Sequence, residues 1–153
     1  MPFARGVTAV AVAEHCSRDF DASYADAFRL DVLTASPARE WARLSLPSGS
    51  RTDRLFASLI WGRLLGFRLL PLDQPGTLAG WSLNVDDLRT CILDNDGRLM
   101  AGRMIFEVGA GPVTWTTMIR FHSSRASRIW SAAGHLHRQL APIALSSAAL
   151  RTS

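Results

Sequence analysis

"LAGWSLNVDDLRTCILDNDGRLMAGRMIFEVGAGPVTWTTMIRFH", residues 78–122, decides the fold class of this chain. Apolar and polar residues alternate with a period of two, which predicts β-strands, over residues 78–85, 88–94, 98–108 and 113–122. Turn sequences separate these strands, and Asp96-Gly97 favours a hairpin because glycine readily adopts a positive φ. Four successive strands joined by short turns predict an antiparallel meander.

The segment before the meander predicts one strand and two helices. Residues 24–33, "YADAFRLDVL", alternate with a period of two and predict the first strand. Residues 36–46, "SPAREWARLSL", and 53–67, "DRLFASLIWGRLLGF", repeat apolar residues at helical spacing, and Gly66 marks the end of the second helix. "GFRLLPL", residues 66–72, is a candidate for one more strand.

The longest helix is predicted at the C-terminal end, over residues 124–150. One line of its apolar face holds Ile129, Ala133, Leu136, Leu140 and Ile143. The neighbouring line holds Trp130, Gly134, His137, Ala141 and Ala148. The complete order is strand, two short helices, meander and long helix. It predicts a single α+β domain over residues 1–153, of which residues 1–20 are loosely patterned.

This order also resembles a known superfamily. "GW" opens the meander, "VTWTTMIRFH" closes it and "RIWSAAGHLHRQLAPIALSSA" forms the last helix. Together they resemble the helix-grip proteins of the START and polyketide-cyclase-like (SRPBCC) superfamily, and more narrowly a group of small bacterial proteins of unknown function within it. The residues that carry the resemblance are Thr117, Ile119, Arg120, Trp130, His137, Arg138, Pro142 and Ala148.

The resemblance implies an antiparallel sheet curled around the C-terminal helix. Between them it implies a cavity that binds lipids, sterols, polyketides or other apolar molecules. The helix-grip fold has seven strands, whereas only five are predicted here, with residues 66–72 as a sixth. The size of the cavity therefore depends on strands that the sequence pattern does not reveal.

Composition narrows the classes of function. All 17 basic residues are arginine and the net charge is +4, but the arginines are scattered and form no nucleic-acid-binding stripe. Cys16 and Cys91 lack the spacing of a zinc site and predict free thiols. The apolar run at 7–13 is too short for a secretory signal, and no run reaches the roughly 18 apolar residues of a membrane span. We expect a cytoplasmic protein with no cofactor and no nucleic acid, and leave a homodimer open.

His135 and His137 lie two residues apart, a spacing that raises the question of a metal or catalytic pair. Residues two apart on a helix point about 200° away from each other, so these two cannot bind one metal ion, and no metal is expected. His137 lies beside the apolar face and is the candidate general acid or base. Gly134, one turn earlier, leaves room either for a ligand or for close packing of the helix on the sheet.

The ligand-binding residues predicted for the cavity are Trp81, Met104, Trp115, Thr117, Trp130, Gly134 and His137. Arg103 and Arg120 are candidate polar anchors, provided that their faces of the strands point inward. We expect the face of the last strand that carries Trp115, Thr117 and Ile119 to point at the long helix.

Three functions remain open. The first is binding of an apolar or aromatic small molecule. The second is a cyclase, dehydratase or isomerase that uses His137 as acid or base, with Arg103 or Arg120 as the partner of an oxyanion or carboxylate. The third is a structural role without a cavity, in which side chains fill the space beside Gly134.

Overall fold

The structure, a computed structural model, describes residues 6–71 and 74–152. Its strands are β1 Val7–Val10, β2 Tyr24–Asp31, β3 Thr77–Leu78, β4 Trp81–Asp86, β5 Thr90–Asp96, β6 Met100–Val108 and β7 Pro112–Phe121. Its helices are a 3₁₀ turn Glu14–Ser17, α1 Ala38–Ser45, α2 Arg51–Phe56 with a π-helical continuation Ala57–Leu64, and α3 Ser124–Thr152. The α+β prediction, with a long C-terminal helix packed on the sheet, is confirmed.

The seven strands form one antiparallel sheet in the order β1-β2-β7-β6-β5-β4-β3. The meander β4 to β7 is therefore confirmed, and β2 closes it by pairing with β7, where Phe28 lies opposite Trp115. The N-terminal strand β1 was not predicted; it pairs with β2 at the edge of the sheet. Of the predicted strand at residues 66–72, the part that the structure describes is not a strand, although the Leu70 N–H donates to the Gly80 carbonyl.

The prediction of one continuous strand over residues 78–85 is wrong. Ala79 and Gly80 have φ angles of 54° and 85° and form a tight turn. This turn folds β3 back on β4, so that Leu78 lies opposite Trp81. Apolar and polar residues keep alternating in the sequence across this turn. The period of two therefore does not reveal that the chain reverses here.

The turn at Asp96-Gly97 is present, but the reason expected for its glycine is wrong. The Gly97 N–H donates to the Met100 carbonyl at 3.0 Å, yet Gly97 is not among the residues with a positive φ. A Cβ atom at Gly97 would lie 2.3 Å from the Gly66 carbonyl oxygen. This glycine therefore allows two backbone segments to approach each other closely.

The two faces of the sheet have different partners. We call the face that carries Met104 and Phe106 the cavity face, since α1 and α3 pack on it. The opposite face, which carries Arg103 and Ile105, is called the back face. The chain between β1 and β2 covers it with Cys16 and Phe20, which pack against Ala101, Ile105 and Met118 of the sheet.

The two longest helical segments are packed to different degrees. Ser123 caps α3 by accepting from the Ala126 N–H, and the helix continues through Pro142. Ser50 and Asp53 cap α2 reciprocally, but Ala57 is the only buried residue between Arg51 and Leu64.

Among the described residues, no helix combines the length and apolar character that crossing a membrane requires.

Candidate ligand cavity

A cavity of about 390 Å³ lies between the cavity face, the end of α1, the segment 51–64 and α3. The sheet contributes one wall because alternate residues of β4, β6 and β7 point to the same side. The helices contribute the others, with Leu46, Phe56, Ile60, Trp61, Ala133, Leu136, Leu140 and Ala141. Aromatic and aliphatic side chains with a few polar groups are typical of small-molecule sites, and the volume falls within their usual range of roughly 300–1,000 Å³.

The structure brings six of the seven predicted ligand-binding residues to this one cavity: Trp81, Met104, Trp115, Thr117, Trp130 and His137. The expected orientation of the last strand is confirmed as well, because Trp115, Thr117 and Ile119 point at α3. His135, by contrast, is exposed.

Gly134 is buried but does not line the cavity, so its predicted place is wrong. A Cβ atom at this position would lie 3.0 Å from Trp130 Nε1 and 3.0 Å from Arg138 Nη1. Side chains of α3 itself thus fill the space beside the glycine, as a structural role for this residue requires. The cavity exists elsewhere along the helix, so the packing of Gly134 does not remove it.

The predicted polar anchors lie on the other side of the sheet. The guanidinium groups of Arg103 and Arg120 lie 5.4 and 5.2 Å from the ring centre of Phe20, on the back face. Arg103 forms a two-pronged ion pair with Asp94 at 2.6 and 3.0 Å and bonds Asp19 at 2.8 Å. The hydrogen bonds to Asp94 raise the pKa of Arg103. Neighbouring residues of a strand point to opposite faces of the sheet. Arg103 precedes Met104 and Arg120 follows Ile119, and both of these neighbours line the cavity, so the two arginines point to the back face.

Four buried polar atoms, all in residues that line the cavity, have no hydrogen-bond partner within the described residues. They are the indole Nε1 atoms of Trp81, Trp115 and Trp130 and the Oγ atom of Ser45. Trp130 also borders a second, polar cavity of about 310 Å³ beside Tyr24. An unpartnered buried donor costs about 1–3 kcal/mol, so a ligand oxygen that reaches one of these N–H groups would recover part of that cost.

A chain of polar contacts starts at His137 and runs along β2. His137 Nε2 lies 3.2 Å from Asp26 Oδ2, and the side chains of both residues are more than four-fifths buried. Tyr24 donates to Asp26 at 2.5 Å and accepts from Arg138 at 3.2 Å. Burial, followed by the hydrogen bond to Asp26, raises the pKa of Tyr24 to about 12, so this hydroxyl stays protonated at neutral pH.

The imidazole of His137 is held by rings as well as by the carboxylate. It packs edge-on against Trp115, with ring centres 6.0 Å apart, and against Trp130 at 5.6 Å. With Nε2 donating to Asp26, Nδ1 keeps a lone pair and has no hydrogen-bond partner in the described part of the chain. A histidine held in one tautomer at a cavity wall is able to accept or donate a proton there.

Sequence reasoning missed Asp26 and Ser45. The signal for Asp26 was present, because it is an acidic residue between Tyr24 and Phe28 on the apolar face of the first strand. Its partner is 111 residues away, so the pairing itself had no local signature. Ser45 lies at the end of α1 and is buried only through the packing of that helix.

Comparisons of the chain with protein-family models, curated proteins and solved structures found no match.

Proposed function

We propose that this protein binds an apolar, aromatic small molecule that carries oxygen acceptors, in the cavity between the sheet and α3. The observation that carries the proposal is the aromatic and aliphatic lining of the cavity of about 390 Å³. Three of the tryptophans that line it, Trp81, Trp115 and Trp130, also hold buried indole N–H groups without a partner among the described residues. Aromatic rings offer stacking surfaces, and an indole N–H that a ligand oxygen reaches adds one donor. A planar molecule with carbonyl or hydroxyl oxygens matches both properties.

The arrangement of the chain supports a helix-grip reading of this site. A seven-stranded antiparallel sheet with a long C-terminal helix across one face is what the resemblance to the START and polyketide-cyclase-like superfamily implies. In this reading β1 is an additional edge strand, since β2 occupies the place beside β7, and β2 to β7 form a helix-grip sheet that is one strand short of seven. We also propose a cytoplasmic setting, in which Cys16 and Cys91 form no disulfide bond.

Two neighbouring alanines of α3 provide a matched test. Ala133 lines the cavity, whereas Ala132 is exposed. A phenylalanine at residue 133 fills part of the cavity, and the same change at residue 132 adds a ring to the surface. Anthraquinone and anthracene serve as probes because they share a shape and differ in two carbonyl oxygens.

We expect binding of anthraquinone to quench tryptophan fluorescence in the wild type and in Ala132→Phe, and to be lost in Ala133→Phe. We expect anthracene to bind more weakly than anthraquinone, because it leaves the indole donors unpaired. Equal binding of anthraquinone by both variants would show that it binds outside the cavity and would overturn the proposal. Native mass spectrometry of the purified protein provides the stoichiometry.

The contact between His137 and Asp26 favours a second candidate function, proton transfer on a ligand in the same cavity. His137 would remove a proton from carbon next to a carbonyl group, and the electron pair would move to the carbonyl oxygen as an enolate. An indole N–H would stabilise that oxygen, and Asp26 would stabilise the imidazolium that forms. Cyclases, dehydratases and isomerases that act next to a carbonyl group use such a step.

Exchange of solvent deuterium into the α-carbon of 2-tetralone tests this candidate without knowledge of the natural substrate. We expect the protein to accelerate exchange, His137→Gln to abolish the effect and Asp26→Asn to reduce it, since a positioned acid or base contributes about 10²–10⁴-fold. The exposed His135→Gln is the matched control and should exchange at the wild-type rate. Exchange at the uncatalysed rate with the wild type would leave binding as the function.

A further inference from the structure

A second cluster of chemically active side chains lies on the back face, away from the cavity. His15 and Cys16 belong to the 3₁₀ turn between β1 and β2, and Glu107 lies on β6. His15 Nε2 is 2.8 Å from Glu107 Oε2, and Cys16 Sγ is 3.6 Å from both His15 Nε2 and Glu107 Oε1. We propose that these three side chains form a binding site for one zinc ion.

The spacing of the donor atoms fits the geometry of zinc. Bonds of about 2.0 Å to nitrogen and oxygen and about 2.3 Å to sulfur place the ligand atoms of a tetrahedral zinc ion about 3.3–3.6 Å apart. The two distances from Cys16 Sγ, both 3.6 Å, already match this spacing. The separation of 2.8 Å between His15 Nε2 and Glu107 Oε2 is shorter than this spacing, and a rotation of the glutamate side chain both widens it and selects the oxygen that binds the ion.

The donor set also selects the metal. A thiolate, an imidazole and a carboxylate suit a borderline-soft ion such as Zn²⁺ better than Ca²⁺ or Mg²⁺, which prefer oxygen ligands alone. Three protein ligands leave a fourth position for water or another ligand. The formal charge of a bound site is zero, because Cys16 and Glu107 each contribute one negative charge against the dication.

The fold brings these ligands together and keeps the site accessible. Glu107 shares the back face with Ile105, two residues earlier on β6, and Ile105 packs beside Cys16. Cys16 is only 3% exposed, so its sulfur is held in place, whereas the side chain of His15 is 54% exposed and leaves a path for the ion. Without metal, the Cys16 thiol donates to Glu107. Zinc replaces that proton on sulfur, and the proton goes to solvent.

Cobalt(II) is the probe for this site because a thiolate bound to it gives a charge-transfer absorption band. We expect metal-free wild-type protein to bind one Co²⁺ with this band, and one equivalent of Zn²⁺ to abolish it. Cys16→Ala should lose the band. Cys91→Ala is the matched control and should keep it, since Cys91 is also a buried free cysteine but lies on the cavity face.

Two further variants keep the test independent of the folding of Cys16→Ala. We expect Glu107→Gln and His15→Ala each to weaken Zn²⁺ binding, measured by competition with a chelating dye, by at least about tenfold. His135→Ala, an exposed histidine elsewhere, should bind as the wild type does. Absence of the thiolate band in the wild type, or Zn²⁺ affinity unchanged in Glu107→Gln and His15→Ala, would overturn the proposal. Ligand binding in the cavity is measured separately and does not decide this result.

Discussion

Replacing Trp115 with phenylalanine separates the role of its N–H from that of its ring. The side chain is 5% exposed, and its ring lies 5.0 Å from that of Phe106 in a stacked arrangement. Phenylalanine keeps an aromatic ring but loses about 40 Å² of buried area, which costs about 1 kcal/mol of stability. It also removes an unpartnered buried donor, which returns about 1–3 kcal/mol. Without ligand, the free energy of unfolding should therefore stay the same or rise by up to about 2 kcal/mol.

The same change should weaken binding of a carbonyl-bearing ligand. Loss of one hydrogen bond to anthraquinone costs about 1–2 kcal/mol, a factor of about 5–30 in Kd. Anthracene, which makes no such bond, should bind Trp115→Phe almost as it binds the wild type. Urea unfolding measures the stability and fluorescence titration measures both affinities. Equal loss of affinity for the two compounds would refute the reasoning, because it would show that the indole contributes area and not a donor.

Two predictions concern stability. Gly97→Ala should lower the urea midpoint of unfolding, because the added Cβ atom meets the Gly66 carbonyl oxygen. Gly111→Ala is the control: a Cβ atom there has no atom within 4 Å, so its free energy of unfolding should stay within about 0.5 kcal/mol of the wild type. Equal midpoints for the two variants would contradict the close approach of Gly97 to Gly66. Burial raises the pKa of Cys91 and that of Tyr24 to about 12 from ordinary values of 9.0 and 10.0. The unfolded chain then holds fewer protons, so the free energy of unfolding should fall as the pH rises from about 9 to 12. Cys91→Ala should flatten this decline in urea titrations, and an unchanged slope would rule out the thiol as its cause.

Local pattern was sufficient for much of the fold and for one wall of the cavity. Side chains alternate in any strand, so the assignment of Trp115 and Thr117 to one face needed no knowledge of tertiary structure. The same rule placed Trp81 and Met104 together once the strands formed a meander. Helical spacing in the same way placed Trp130 and His137 on the face of α3 that meets the sheet.

The remaining features depend on contacts between distant parts of the chain. Alternation could not decide whether Arg103 faces inward, because the covering segment around Phe20 makes the back face a buried layer as well. The positive φ at Ala79 has no residue signal, since alanine seldom adopts it. The contact of Cys16 with Glu107 joins residues 91 positions apart, beyond the reach of any spacing rule.

The loose packing of residues 51–64 bears on how fast a ligand can enter and leave. This segment covers one side of the cavity with Phe56, Ile60 and Trp61, yet buries only Ala57. Segments with few buried apolar contacts open locally at a lower free energy than core strands do. For the proposed ligand, we expect local opening of residues 51–64 to change the residence time more than substitutions that strengthen the sheet. Amide hydrogens in residues 51–64 should exchange with solvent sooner than those of β6, and more slowly once the cavity is filled.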